Sequence, residues 1–241
     1  IVPAISIISP TNGTNSSNTG LNVNYTVTDL NTISCWYSND TMSVNNSLVS
    51  CANITSITWS EGNHNVTVYV NDSAGNENES SVTFTILQDL DNDGITDALD
   101  PLLYNESNVT TAGINKLNIS IGGNSTNGNY SGKQEIIFFD QSTPMINFSH
   151  NFSLSNLDLS NITITKTSTS LIVNLSGQLQ ENKTLYISDN SFITLCVKDD
   201  EVNSIDELST ECNEANETDL SLCLGGSLNT NSLNCTDEGS F

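Results

Sequence analysis

Asn65-Val66-Thr67-Val68-Tyr69-Val70, followed by Asn71-Asp72-Ser73-Ala74-Gly75-Asn76, is the stretch on which the fold reading turns. The first part is an alternating, β-branched run, the pattern of a half-buried strand. The second part is a cluster of turn formers that ends it. Similar runs occur at Ala4–Ile8, Leu21–Thr28, Ile33–Tyr37 and Ser81–Leu87, separated by turn clusters such as Pro10-Thr11-Asn12-Gly13. No long helix-period segment interrupts them. Short strands punctuated this regularly predict a β-sandwich over residues 1–87. Trp36, next to Cys35, is expected in its core, and His64 in a turn.

The segment Ile8-Ser9-Pro10-Thr11-Asn12-Gly13-Thr14, together with Glu61-Gly62-Asn63-His64-Asn65-Val66-Thr67-Val68-Tyr69-Val70-Asn71-Asp72-Ser73-Ala74-Gly75-Asn76, resembles the immunoglobulin-like repeats of archaeal and bacterial cell-surface proteins. The resemblance covers most of residues 1–87 and implies an immunoglobulin-like sandwich. It departs from antibody domains in its cysteines. Those domains join cysteines far apart in sequence, whereas Cys35 and Cys51 are close.

Downstream runs Asp89-Leu90-Asp91-Asn92-Asp93-Gly94-Ile95-Thr96-Asp97-Ala98-Leu99-Asp100. Aspartates stand at loop positions 1, 3, 5, 9 and 12, with glycine at 6. Ca²⁺ takes about six to eight hard oxygen ligands at about 2.3–2.6 Å, and a loop of this spacing wraps them around one ion. Asp89, Asp91 and Asp93 offer side-chain oxygens and Ile95 its carbonyl. Asp97 ligates directly or through water, Asp100 closes the loop, and Gly94 allows the sharp turn. The spacing also resembles a thrombospondin type 3 repeat and, more loosely, a dockerin loop. Those families imply calcium that stiffens a connection between domains, through the same six residues. The single copy argues against cohesin binding. Residues 88–104 are therefore expected to form an acidic calcium-binding linker.

Residues 105–241 are again β-rich. Candidate strands are Leu117–Ile121, Glu135–Phe139, Met145–Phe148, Asn161–Lys166, Leu171–Leu175, Thr184–Ile187 and Phe192–Val197. Glu135–Phe139 is apolar enough for a central strand, and a second sandwich is expected. The tail, about 199–241, holds three of the six cysteines, many acids and little β pattern. Ser204–Leu208 reads as a short capped helix. The cysteines fall into local pairs by spacing, Cys35 with Cys51, Cys196 with Cys212 and Cys223 with Cys235, although six cysteines admit fifteen pairings. Disulfides fit an oxidising compartment, and the absence of a close C-x-x-C pair disfavours a zinc ribbon. The expected fold class is all-β, two immunoglobulin-like sandwiches joined by a calcium loop, with a disulfide-rich C-terminal region.

Composition narrows the function. Among 241 residues, 28 acids face 5 lysines and no arginine, giving a net charge of -23. With no basic patch, binding to nucleic acid or an anionic membrane is not expected. No apolar run is long enough for a membrane helix. Ile1–Ile8 lacks the basic leading segment of a signal peptide, so a secreted chain with its export signal removed is the expectation. Asn-x-Ser/Thr sequons number roughly twenty, about twice the chance expectation for this composition, among them Asn24, Asn65, Asn118 and Asn174. They point to N-linked glycans on the surface.

Catalytic patterns are missing. His64 and His150 are the two histidines, and no G-x-S-x-G, H-E-x-x-H or P-loop motif accompanies them. Trp36, Trp59 and the six tyrosines are dispersed, so no aromatic cluster for sugar stacking is apparent. Asp199, Asp200, Glu201, Asp206 and Glu207 form a second acidic cluster, either a solvated loop or another cation site. The expected function is a non-enzymatic structural subunit of an extracellular, calcium-stabilised filament or surface layer that self-associates. The alternative is an adhesin or an accessory binding module. Ile1–Ile8 is expected to pair within its own domain or to add to a neighbour's sheet.

Overall fold

Alternation along one strand sets the first core. Val66, Val68 and Val70 are completely buried, and Val82, Phe84 and Ile86 on the neighbouring strand face the same way. Successive residues of a strand point to opposite faces, so each strand offers one apolar face to a partner sheet. The computed structural model describes residues 1–42, 44–188, 192–200, 202–230 and 233–237. It is all-β, and the chain divides into two compact units, Ile1–Leu99 and Asp100–Phe241.

The first unit contains β1 (Ala4–Ser9), β2 (Thr14–Ser16), β3 (Asn24–Thr28), β4 (Thr32–Asn39), β5 (Asn46–Leu48), β6 (Gly62–Asp72) and β7 (Glu77–Ile86). A five-stranded sheet has the order β2-β7-β6-β4-β5, and β1 pairs with β3 in a second sheet. Between them lie Val23, Tyr25, Cys35, Ile54, Trp59 and the β6 and β7 side chains. β1 thus pairs inside its own unit, from Ala4 opposite Thr28 to Ser9 opposite Asn24. The β6–β7 turn is fastened by Asp72, which accepts from the N–H groups of Ala74 (2.8 Å) and Asn76 (2.9 Å) and from Asn76 Nδ2 (2.8 Å). The Asn76 side-chain bond, then the backbone bonds, hold the Asp72 carboxyl below its ordinary value.

Two expectations about this unit are corrected. The core tryptophan is Trp59, 2% exposed, and not Trp36. Cys35 points inward and takes the disulfide to Cys51, so its neighbour Trp36 must point outward. His64 lies within β6, not in a turn, and is buried between Trp59 and Phe84.

The second unit contains β8 (Thr110–Ala112), β9 (Leu117–Ile121), β10 (Lys133–Asp140), β11 (Thr143–Asn151), β12 (Thr163–Lys166), β13 (Leu171–Asn174) and β14 (Lys183–Leu185), then β15 (Cys196–Lys198), β16 (Glu217–Asp219), β17 (Ser227–Asn229) and β18 (Asn234–Thr236). A four-stranded sheet, β14-β11-β10-β9, faces a three-stranded one, β13-β12-β8. β10 is internal, as its apolar run requires, and Ile136 and Phe138 are fully buried. Asp140 ends β10 almost fully buried. Its burial opposes ionisation. The Lys166 Nζ bond at 2.9 Å and the N–H groups of Lys116 and Asn115 more than offset it, so the carboxyl sits below its ordinary value. The tail forms two small two-stranded pairs, β15–β16 and β17–β18, held by Cys196–Cys212 and Cys223–Cys235. Ser204 caps a single 3-10 turn, Ile205–Glu207, and Glu207 closes the capping box.

Candidate functional site

The acidic loop belongs to the first unit, where it follows β7 directly. Its carboxylates spend oxygens on the loop's own backbone. Asp89 Oδ2 accepts from the Gly94 N–H (3.0 Å), Asp91 Oδ1 from Asp93 (3.2 Å), Asp93 Oδ1 from Ile95 (2.7 Å) and Asp97 Oδ1 from Leu90 (2.9 Å). Gly94 adopts φ 95°, a conformation L side chains rarely take, and Ser17 donates its hydroxyl to the Gly94 carbonyl at 3.0 Å. These bonds curl the chain so that carboxylate oxygens of Asp89, Asp91 and Asp93 lie within 4.8 Å of one another.

Crowding three carboxylates has a cost. The Asp91 carboxyl is pushed up to about 6, first by burial, then by the charge of Asp93, with Asp89 adding to it. Among the described residues, Asp89 Oδ1 and Thr96 Oγ1 are buried with no hydrogen-bond partner. A buried acceptor without a donor is expensive, and a hard cation satisfies it. The donor set is entirely oxygen, which suits Ca²⁺ or Mg²⁺ rather than a soft metal. The fit is partial with respect to the sequence expectation. Asp89, Asp91 and Asp93 converge, Asp97 ties its Oδ1 to Leu90, and Asp100 begins the second unit, where it is buried and accepts from the Leu102 N–H at 2.8 Å.

The second acidic cluster does not assemble among the described residues. Glu207 is taken up by the cap on Asn203 and Ser204, Asp206 turns to Ser204, and Asp200 accepts from Asn216. Glu201 lies outside the described residues.

Neither histidine is arranged for catalysis. Both ring nitrogens of His64 face acceptors, Asp40 at 3.2 Å and the Ser60 carbonyl at 2.7 Å. That geometry supports the Asp40–His64–Ser60 link as a structural clasp between the β4 end and β6. His150 is 1% exposed, bonds the Ser155 carbonyl through Nε2 and packs edge-on against Phe152. Burial pushes it below the ordinary histidine value.

The four sequon asparagines differ in access. Asn118 is exposed on β9. Asn24 Nδ2 is engaged by Ser9 Oγ and Asn174 Nδ2 by Asn203, both at 3.0 Å. Asn65 is half-buried with its Oδ1 enclosed. A glycan must attach at a free Nδ2, so Asn118 is the best placed of the four.

Two aromatic residues far apart in the chain come together on the sheet. Trp36 on β4 and Tyr69 on β6 are directly opposite in register, their rings stacked with centroids 5.5 Å apart and planes 6° apart. The signal that finds them is the strand register, with Cys35 and Val70 fixing which residues face inward.

No protein-family model matches this chain, and no curated protein matches it. Among solved structures it is similar to fibronectin(III)-like modules of Clostridium thermocellum CbhA, with 13% identity over 61% of this chain and 86% of that one and a TM-score of 0.32. It is also similar to SGBP-B of the Bacteroides ovatus mixed-linkage glucan utilization locus, solved with a mixed-linkage heptasaccharide. There the identity is 14% over 63% of this chain, and the TM-score is 0.30. The chain spans 46% of that second structure. Among the described residues no helix is long and apolar enough to cross a membrane. Three disulfides belong to a protein of an oxidising compartment.

Proposed function

We propose that this chain is a non-enzymatic, extracellular structural module, a subunit of a cell-surface filament or layer whose acidic loop holds Ca²⁺. The observation that carries the reading is the convergence of Asp89, Asp91 and Asp93 around a buried, unsatisfied Asp89 oxygen. Residues 89–97 would supply the ligands, and the ion would replace mutual repulsion with coordination at the point where the first unit ends. Neutralising part of a -23 charge also favours self-association, because net charge of one sign opposes it. N-linked glycans on exposed positions such as Asn118 fit an outward-facing surface. The archaeal or bacterial origin suggested by the immunoglobulin-like resemblance belongs to this reading. A second reading, a surface adhesin or accessory binding module, is favoured by the Trp36–Tyr69 pair.

Electron microscopy of the purified protein in millimolar Ca²⁺, repeated after EDTA, tests the choice. Ordered filaments or sheets that loosen in EDTA are expected. Dispersed particles in both conditions would favour the binding module.

The loop also sets a pH dependence. Ca²⁺ competes with the proton that Asp91 retains below about 6. Calcium affinity is expected to be nearly flat above about pH 7 and to fall on the order of tenfold per pH unit below about 6. The metal-free protein behaves oppositely. Its folded Asp91 lies above the unfolded value of about 3.9, so this group favours folding at low pH and loses that contribution as pH rises through about 6. Thermal melts of the EDTA-treated protein at pH 5 and pH 7, against calcium-loaded samples, check both signs.

A further inference from the structure

The outer face of the five-stranded sheet carries one row whose chemistry the structural reading leaves unused. In register across β5, β4, β6 and β7 it runs Ser47, Trp36, Tyr69 and Glu79. Trp36 and Tyr69 belong to neither core, and both are half-exposed. Beside Trp36 opens a groove of about 440 Å³ with a mixed lining: Ser34, Asn45, Ser47 and Ser50 supply polar groups, and Trp36, Leu48, Val49 and the Cys35–Cys51 disulfide supply apolar walls. That volume falls within the roughly 300–1,000 Å³ typical of small-molecule sites.

We propose that this groove is a binding site for a neutral saccharide, with Trp36 as its stacking platform. A pyranose has two apolar C–H faces and a rim of hydroxyls. The first need a flat aromatic surface, and the second need groups that both donate and accept. Trp36 offers the ring, and its stacking on Tyr69 fixes the ring's orientation, so little freedom is lost on binding. Serine hydroxyls and the Asn45 amide both donate and accept. Ser34 Oγ donates to Asn71 Oδ1 at 2.8 Å, which leaves its lone pairs to receive a sugar hydroxyl. Glu79, exposed beyond Tyr69, adds an acceptor along the same row for a longer chain. The net charge of -23 disfavours an acidic polysaccharide. A saccharide uses both parts of this lining, its C–H faces against the apolar walls and its hydroxyls against the serine and asparagine groups. A cross-strand aromatic pair that merely stabilises the sheet would need no groove with hydroxyl and amide groups at its side. The site stands apart from the acidic loop and does not rest on its calcium.

Isothermal titration calorimetry tests the proposal, using β-1,4-linked and β-1,3-linked glucose hexasaccharides and a mannose hexasaccharide as probes. Asn45 opens the sequon Asn45-Asn46-Ser47, so the protein is prepared without N-glycans. Saturable binding of at least one probe is expected, weakened about tenfold or more by Trp36→Ala and less by Tyr69→Ala. Trp36→Phe should restore part of it, and Asn45→Ala, at the exposed rim, should weaken it without affecting folding. All variants should keep wild-type calcium binding, which separates failure here from failure of the loop reading. Three probes without heat at millimolar concentration, or binding untouched by Trp36→Ala and Asn45→Ala alike, would overturn the proposal. So would self-association lost in Trp36→Ala without any saccharide binding, which would make this face a protein contact.

Discussion

Replacing Trp59 by alanine is expected to destabilise the first unit by about 4 kcal/mol, while Trp36→Ala costs about 1 kcal/mol or less. The two residues look alike in sequence and differ entirely in setting. Trp59 is 2% exposed, packs edge-on against Phe84 at 5.1 Å and donates its indole N–H to the Leu21 carbonyl at 2.7 Å. Removing it leaves a large cavity and strips a donor from that carbonyl. Trp36 lies on the outer face, where truncation forfeits one stacked ring and creates no cavity. Since small domains are stable by only about 5–15 kcal/mol, the Trp59 change alone removes a large part of the margin. Urea unfolding followed by fluorescence of the remaining tryptophan measures both. A larger loss from Trp36→Ala than from Trp59→Ala would mean the two sheets pack through the other face.

Reduction of the disulfides is expected to undo the C-terminal region while both sandwiches persist. Among its described residues, apolar burial between 196 and 237 comes to Val202, Leu220 and Cys223, and its strands pair only two by two. Isolated two-stranded pairs are marginal in water. Cys196–Cys212 and Cys223–Cys235 close segments with sequence separations of 16 and 12, and loops of that size contribute about 3 kcal/mol each by restricting the unfolded chain. Hydrogen exchange read by mass spectrometry should show β15–β18 losing protection under reductant while β9, β10 and β11 keep theirs. Unchanged protection in β15–β18 would show that packing, not cross-linking, holds the tail. The same experiment has an internal control in Cys35–Cys51, which links β4 to the segment after β5 within a well-buried core.

These contrasts show which features a single sequence discloses. Most of the expected strands fall where alternation and turn chemistry put them, but Phe192–Val197 is strand only from Cys196 onward, and the short strands β2, β5, β8, β16, β17 and β18 carry too little pattern to be expected. Asn65–Val70 lies within β6, Leu117–Ile121 is β9, and Glu135–Phe139 lies within the internal β10. Local signals of this kind depend only on neighbours in the chain. What depended on the phase of a strand was harder to read. Cys35 and Trp36 are both natural core residues, yet adjacent residues of one strand cannot both face the core. Sequence gave no ground to choose, and the disulfide decided for Cys35. Register was harder still. Trp36 meets Tyr69 only because β4 pairs antiparallel with β6 in one particular alignment, and nothing local announces it. The position of His64 is obscured in the sequence for a related reason. The polar Glu61-Gly62-Asn63-His64 lead-in looks like a turn, but β6 begins at Gly62, and Asp40 and Ser60 satisfy the imidazole well enough to bury it.

The acidic loop shows both sides. The spacing of Asp89, Asp91 and Asp93 and the glycine at 94 were legible, because a sharp turn at fixed offsets is a local property. The fate of Asp97 and Asp100 was not, because each side chain had a competing backbone N–H, Leu90 for one and Leu102 for the other. Whether a cation draws Asp97 back from that bond is a question of binding energy, not spacing.

Calorimetric titration of Ca²⁺ into EDTA-stripped protein at pH 7 tests the central claim most directly. The account predicts saturable binding at one site per chain, with Asp91→Asn plus Asp93→Asn weakening it on the order of 100-fold or abolishing it while both sandwiches stay folded. No saturable heat from the wild-type protein, or unchanged binding in the double variant, would contradict it.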